Sequence, residues 1–206
     1  MKKKLITWLI SGLLVISAII ILCYYQTKKK TPPPESEICL SDSELGTAIQ
    51  YGREQGKSLL VDFQKPWTVV RGYSESGGRA VIYPPFHCLA LITRNAGSEI
   101  LRVDTESLRQ LTAKEVCMLR FEVTLYGDKL GFDQNYTGVV VKGKQQFPSL
   151  KTVSRGYDQA REYTIASRRD YYFTPEILKG KGKITLRILR PQKEPLDFTF
   201  DLNKMP

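Results

Sequence analysis

The residues able to do chemistry in this chain are few and widely spaced. One histidine, His87, stands next to Cys88 inside "PPFHCLALITRNAG", residues 84–97. Neighbours in a strand point to opposite faces, and neighbours in a helix are about 100° apart, so the two cannot easily act on one substrate together. Three cysteines follow the N-terminal region, Cys39, Cys88 and Cys117. There is no C-x-x-C, and a single histidine leaves zinc without spaced ligands. Three is an odd number, so a full disulfide framework is excluded; buried free thiols are expected, with one disulfide possible outside the cytoplasm. "GDKLGFDQN", residues 127–135, carries Asp128, Asp133 and Asn135, which invites a calcium reading. It does not match an EF-hand loop, and a turn uses the same residue types. No catalytic, metal or cofactor site is therefore assigned from the sequence.

One polar cluster remains. "SRRDYYF", residues 167–173, combines guanidinium groups with phenol rings, side chains enriched at interfaces. Residues 151–206 hold 12 basic and 7 acidic side chains, against 13 and 14 over residues 31–150. The whole chain is +10, and six of its lysines lie within residues 2–30. The candidate interaction surface is Arg155, Arg161, Arg168, Arg169, Tyr171 and Tyr172. Its expected partner is a protein or an anionic envelope polymer, with anionic lipid as a further possibility. No nucleic-acid motif accompanies the charge, so nucleic acid is not expected.

What must position these residues begins at the membrane. Leu5 to Tyr25, "LITWLISGLLVISAIIILCYY", is 21 residues without a charge. At 1.5 Å per residue such a helix spans about 30 Å, the thickness of a bilayer core. Lysines 2–4 precede it and lysines 28–30 follow it, with Trp8 and Tyr24–Tyr25 near its ends. A lipoprotein signal wants a small residue before the cysteine, and Cys23 follows Leu22. A cleaved secretory signal wants a shorter apolar core and small residues at the cut, whereas "ISA" at 16–18 lies in mid-run. An uncleaved anchor needs length and apolarity alone. The expected layout is an N-terminal tail over 1–4, a transmembrane anchor over 5–25, a basic and proline-rich linker over 26–38, and one domain over 39–206. The single-pass chain would sit in the cell membrane with its C-terminal domain extracytoplasmic; a cleaved secreted or lipoprotein form is the alternative.

The domain is written mostly in strands. "LRFEVTLY" (119–126) sets Leu119, Phe121, Val123 and Leu125 against Arg120, Glu122, Thr124 and Tyr126. "ITLRIL" (184–189) and "LDFTFDL" (196–202) alternate in the same way, as strands with one wet face do. "GVVV" (138–141), "YYF" (171–173), "SLLVDF" (58–63), "WTVV" (67–70) and "GRAVIY" (78–83) add strands, and "KGKGK" (179–183) a turn. Residues 84–97 read as a helix from Pro85, with Phe86, Leu89, Ala90 and Thr93 on one face, although "CLALIT" also suits a buried strand. "DTESLRQLTAKE" (104–115) reads as a helix capped by Asp104 or Thr105. The fold class is α+β, mainly β: an antiparallel sandwich-like domain with one or two short helices, preceded by the anchor.

In outline the chain resembles sortases, which join an N-terminal anchor to a β-barrel carrying Cys, His and Arg. That resemblance implies Cys117 as nucleophile; the only histidine, His87, lies 30 residues before it, and Arg120, three residues after it in a strand, faces away. Cys117 sits in "KEVCMLRF", which departs from the sortase TLxTC pattern. With its anchor, linker and single β-rich domain, the chain is also similar to small membrane-anchored extracytoplasmic bacterial domains of unknown function. "GRAVIYPPFHCLAL" and "LDFTFDLNKM" carry that similarity, and no functional residues transfer from it. The leading expectation is a non-catalytic binding or structural module; the alternative is a cysteine-dependent enzyme at the membrane surface.

Overall fold

The computed structural model describes residues 40–96, 117–161 and 164–206, and of Arg161 the backbone alone. The expected anchor over 5–25, the linker, Cys23, Cys39 and the expected helix over 104–115 lie outside these residues. Among the described residues no helix is long and apolar enough to cross a membrane.

The chain opens with helix α1 (Asp42–Glu54). Ser41 accepts from the Glu44 amide while the Glu44 carboxylate accepts from the Ser41 amide, so two otherwise orphaned N–H groups find partners. A five-residue helix α2 (Leu60–Gln64) and a tight turn over Lys65–Trp67 lead into strand β1 (Thr68–Val70). Strand β2 (Gly78–Tyr83) and helix α3 (Pro85–Ala96) follow. Helices α1 and α3 cross closely. A Cβ on Gly52 would come within 2.3 Å of the Ala90 carbonyl oxygen, so only glycine permits that approach.

The remaining strands are β3 (Leu119–Gly127), β4 (Thr137–Lys142), β5 (Gln145–Pro148), β6 (Lys151–Arg161), β7 (Thr164–Phe173), β8 (Lys183–Arg190) and β9 (Lys193–Asp201). They form two antiparallel sheets, ordered β1-β2-β3-β7-β6 and β5-β4-β8-β9. Their inner faces share one core. Leu119, Phe121, Val123, Leu125, Tyr171 and Phe173 come from the first sheet, and Val140, Leu186, Ile188, Phe198 and Phe200 from the second. Phe121 and Phe200 meet across the gap at 5.4 Å between ring centres. Gly138 lies so close to Tyr171 that a Cβ there would come within 2.6 Å of the ring. The expected mainly β, antiparallel α+β domain is what the residues form, and the period-two faces of β3, β8 and β9 are buried as alternation predicts.

The N-terminal half departs from expectation. "SLLVDF" is a helix rather than a strand: Leu59, Leu60 and Val61 are exposed, and only Phe63 and Gln64 of α2 are buried. A short apolar run carries no period that separates the two states, and Pro66 closes the element before a strand can build. In "WTVV" the strand begins at Thr68, with Trp67 in the preceding turn. Three helices appear among the described residues where one or two were expected over the whole domain. Tyr126, expected on a wet face, is buried, with Tyr73 edge-on at 5.9 Å. The helices explain why β2 is buried on both faces. Ala80 and Ile82 enter the sheet core, while Val81 and Tyr83 are buried on the opposite face, where Tyr83 meets α2 and α3.

Candidate functional site

The residues most capable of covalent chemistry are held in unreactive settings. His87 is fully buried and lies between two rings, Tyr83 at 4.8 Å and Trp67 at 4.6 Å, both nearly parallel to it. Its Nδ1–H donates to the Ile82 carbonyl at 2.9 Å, since a carbonyl can only accept. Nε2 is then a bare acceptor without a partner among the described residues. Burial brings the imidazole down to about 4; the Ile82 bond opposes the shift and the Arg120 charge adds to it. Cys88 is partly buried, 3.8 Å from the Tyr83 carbonyl, and burial pushes its thiol up to about 11 against the pull of Arg120. Cys117 is disulfide-bonded. The expected buried free thiol is therefore corrected at Cys117, and with it the role of a free nucleophile.

Asp133, from the calcium-like loop, is also taken. It is fully buried and accepts from Tyr157 Oη at 2.7 Å, from Ser167 Oγ and from Arg169 Nε. Burial works to raise its pKa, but the three donors outweigh it and hold the carboxyl below the usual carboxylate range.

The six candidate interface residues divide by strand parity. Arg169 and Tyr171 face the sheet core: Arg169 pairs with Asp133, and Tyr171 is fully buried opposite Phe121. These two are removed from the surface, because a side chain one position along a strand points to the other face. Arg168 and Tyr172 point outward and Arg155 joins them; the side chain of Arg161 lies outside the described residues.

Around these three the outer face of β3, β7 and β6 forms a cluster centred on Asp170. Register places Arg120 opposite Tyr172 and Glu122 opposite Asp170 on β3, and Lys151 opposite Tyr172 on β6. The register of β6 shifts between Ser154 and Gly156, which leaves Arg155 as the extra residue of a bulge beside Gly156 at φ +103°. The bulge aims Arg155 across the face: its Nε donates to Asp170 Oδ2 at 2.7 Å and Nη2 donates to the same oxygen. Arg120 Nη1 lies 3.8 Å from Oδ2, and the Tyr172 hydroxyl is 3.4 Å away. Asp170 is only 1% exposed, yet among the described residues its second oxygen, Oδ1, has no hydrogen-bond partner, and neither does Arg120 Nε.

The rim is open. Arg155 and Arg168 are half exposed, Arg168 pairs with Asp158 at 2.6 Å, and Lys151 Nζ stands 5.6 Å above the Tyr172 ring. On its inner side the cluster joins the helices, because Arg120 also lies 4.1 Å over the Tyr83 ring that stacks on His87. Sequence reasoning missed Asp170, Arg120 and Lys151 as members. The available signal was parity: Arg168, Asp170 and Tyr172 sit two apart and must share a face.

Among the described residues no group of three or more His, Cys, Asp or Glu side chains could hold a metal ion. No family model matches the chain, and no curated protein or solved structure matches it.

Proposed function

We propose that the chain is a non-catalytic binding module, held in the membrane by residues 5–25 with its domain on the extracytoplasmic side, and that it engages an anionic envelope partner through the outer face of β3, β7 and β6. One observation carries this reading: Lys151, Arg155, Arg168 and Tyr172 converge on one sheet face with both guanidinium groups half exposed. Arg155 sits on a bulge, a device that re-aims side chains beside functional sites. The state of the reactive residues supports the non-catalytic half of the reading, since a stacked His87, a partly buried Cys88 with a raised pKa and a bonded Cys117 offer no activated nucleophile. A disulfide at Cys117 favours an oxidising compartment, in keeping with the domain outside the cytoplasm.

The test is co-sedimentation of the full-length, detergent-solubilised protein with isolated insoluble envelope polymer. Binding should weaken as salt rises, because exposed charges are screened beyond a Debye length of about 10 Å at 0.1 M. The double variant Arg155→Gln/Arg168→Gln should bind several-fold less, whereas Arg187→Gln on the second sheet should not change binding. Absence of binding at low salt, or equal loss in both variants, would sink the proposal. Resistance of the full-length protein to a carbonate wash of membranes tests the anchor separately.

A further inference from the structure

The cluster is not a simple anion trap. Carboxylates stand among its cations, Glu122 directly opposite Asp170 and Asp158 against Arg168. Donors and acceptors are therefore mixed over the face, and its centre holds one of each without a partner among the described residues: Arg120 Nε–H and Asp170 Oδ1. Arg120 Nη1 and Asp170 Oδ2 are 3.8 Å apart, so the two unpaired atoms belong to side chains that already approach each other. A buried polar atom without a partner is costly and calls for one. A hydroxyl group suits both, since it can donate to Oδ1 and accept from Nε–H.

We propose that Asp170 and Arg120 form a hydroxyl-recognising subsite under Arg155, so that the partner of this face is a polyol or sugar polymer carrying phosphate groups rather than a bare polyanion. The inference rests on the binding reading above and names the chemistry of its ligand. Access runs through Arg155. Its side chain is 51% exposed and covers a carboxylate that is 1% exposed. An incoming phosphate competes for the Arg155 guanidinium, as bidentate Arg–phosphate pairing favours. The neighbouring hydroxyl then takes over donation to Asp170. The exchange swaps partners without leaving the carboxylate bare, and Arg168 and Lys151 stand beside it for the next anionic group.

Two probes of matched phosphate content separate the possibilities: poly(glycerol phosphate), which keeps a free hydroxyl on each unit, and inorganic polyphosphate, which has none. Both are titrated onto the full-length protein in neutral-lipid nanodiscs. The expected result is at least tenfold tighter binding of the hydroxylated polymer per phosphate, since a site built to bond a hydroxyl discriminates against ligands lacking it. Asp170→Asn should bring the two affinities together, while Arg168→Gln should weaken both and leave their ratio intact. A melting curve of each variant shows that it is folded; if Asp170→Asn is not, Arg120→Lys, which removes Nε, replaces it. Equal binding of the two polymers overturns the hydroxyl subsite and leaves the anionic reading standing. Binding of neither polymer overturns both.

Discussion

Asp133 and Asp170 make a natural pair. Both are essentially unexposed carboxylates that meet an arginine, and both are bonded to or carried by β7. Asp133 divides its two oxygens among three donors from three residues, and its arginine is itself buried. Among the described residues Asp170 crowds its side-chain hydrogen bonds onto Oδ2 and leaves Oδ1 with none, and its main arginine is half exposed. The first arrangement ties the 127–136 turn to the sheet and is complete. The second is incomplete: one buried oxygen of a residue on the outer-face register of β7 is left without a partner among the described residues. A buried charge with all its partners belongs to the fold; one missing a partner marks the place to look for a ligand.

The largest effects should come from the complete site and the core beside it. Asp133→Ala strands Arg169 as a buried, uncompensated charge and should cost about 3–5 kcal/mol in denaturant unfolding. Phe121→Ala, which loses no polar partner, gives an apolar reference of about 3–5 kcal/mol. If Asp133→Ala fell far below that reference, the contrast between the two carboxylates would collapse.

Acid separates buried groups next. His87 is brought down to about 4 in the fold, against about 6.5 when unfolded. Its contribution is complete above about pH 6.5 and is lost as pH falls towards 4, on the order of 3 kcal/mol. Asp133, held below the usual carboxylate range, contributes above about pH 3.9 and is lost only in stronger acid. Stability against pH should therefore fall in two limbs, and His87→Phe should abolish the upper one. A single limb in the native protein would contradict the stacked, neutral imidazole.

Asp170→Ala should cost less than Asp133→Ala, about 1 kcal/mol. Arg155 can turn to solvent, and the cost of burying Oδ1 unpaired disappears. A loss equal to that of Asp133→Ala would show Asp170 to be structural and would blunt the case for a ligand. The smallest effect concerns reactivity. With its thiol at about 11, Cys88 should alkylate at neutral pH far more slowly than a free cysteine, and slow labelling in the native protein checks this.

The sheet was legible where one face is wet. In β3, β8 and β9 polar and apolar residues alternate, and the period alone names the buried side. Helix α3 was legible through Pro85 and its apolar face. Helix α1 was missed although Ser41-Asp42-Ser43-Glu44 carries the capping-box signature that the structure uses. Helix α2 was misread because its apolar residues are largely exposed, so their pattern reports no core. The site was half legible. Parity separates Arg168 and Tyr172 from Arg169 and Tyr171, but no local pattern says which set faces in. The bulge at Arg155 and the 3.8 Å approach of Arg120 depend on pairing between strands distant in sequence, and the disulfide at Cys117 depends on folding that spacing does not encode.

The ring column has an optical consequence. Trp67 is one of two tryptophans in the chain, the other being Trp8. It stacks on His87 at 4.6 Å, and His87 stacks on Tyr83, over which the Arg120 cation stands. A protonated imidazole quenches an indole in contact with it, so Trp67 emission should dim as His87 takes up its proton. Because Arg120 reaches both Tyr83 and Asp170, a ligand that draws on Arg120 alters the charge felt along the column. Trp67 should thus serve as an intrinsic reporter of the proton state of the domain's interior, without any added label.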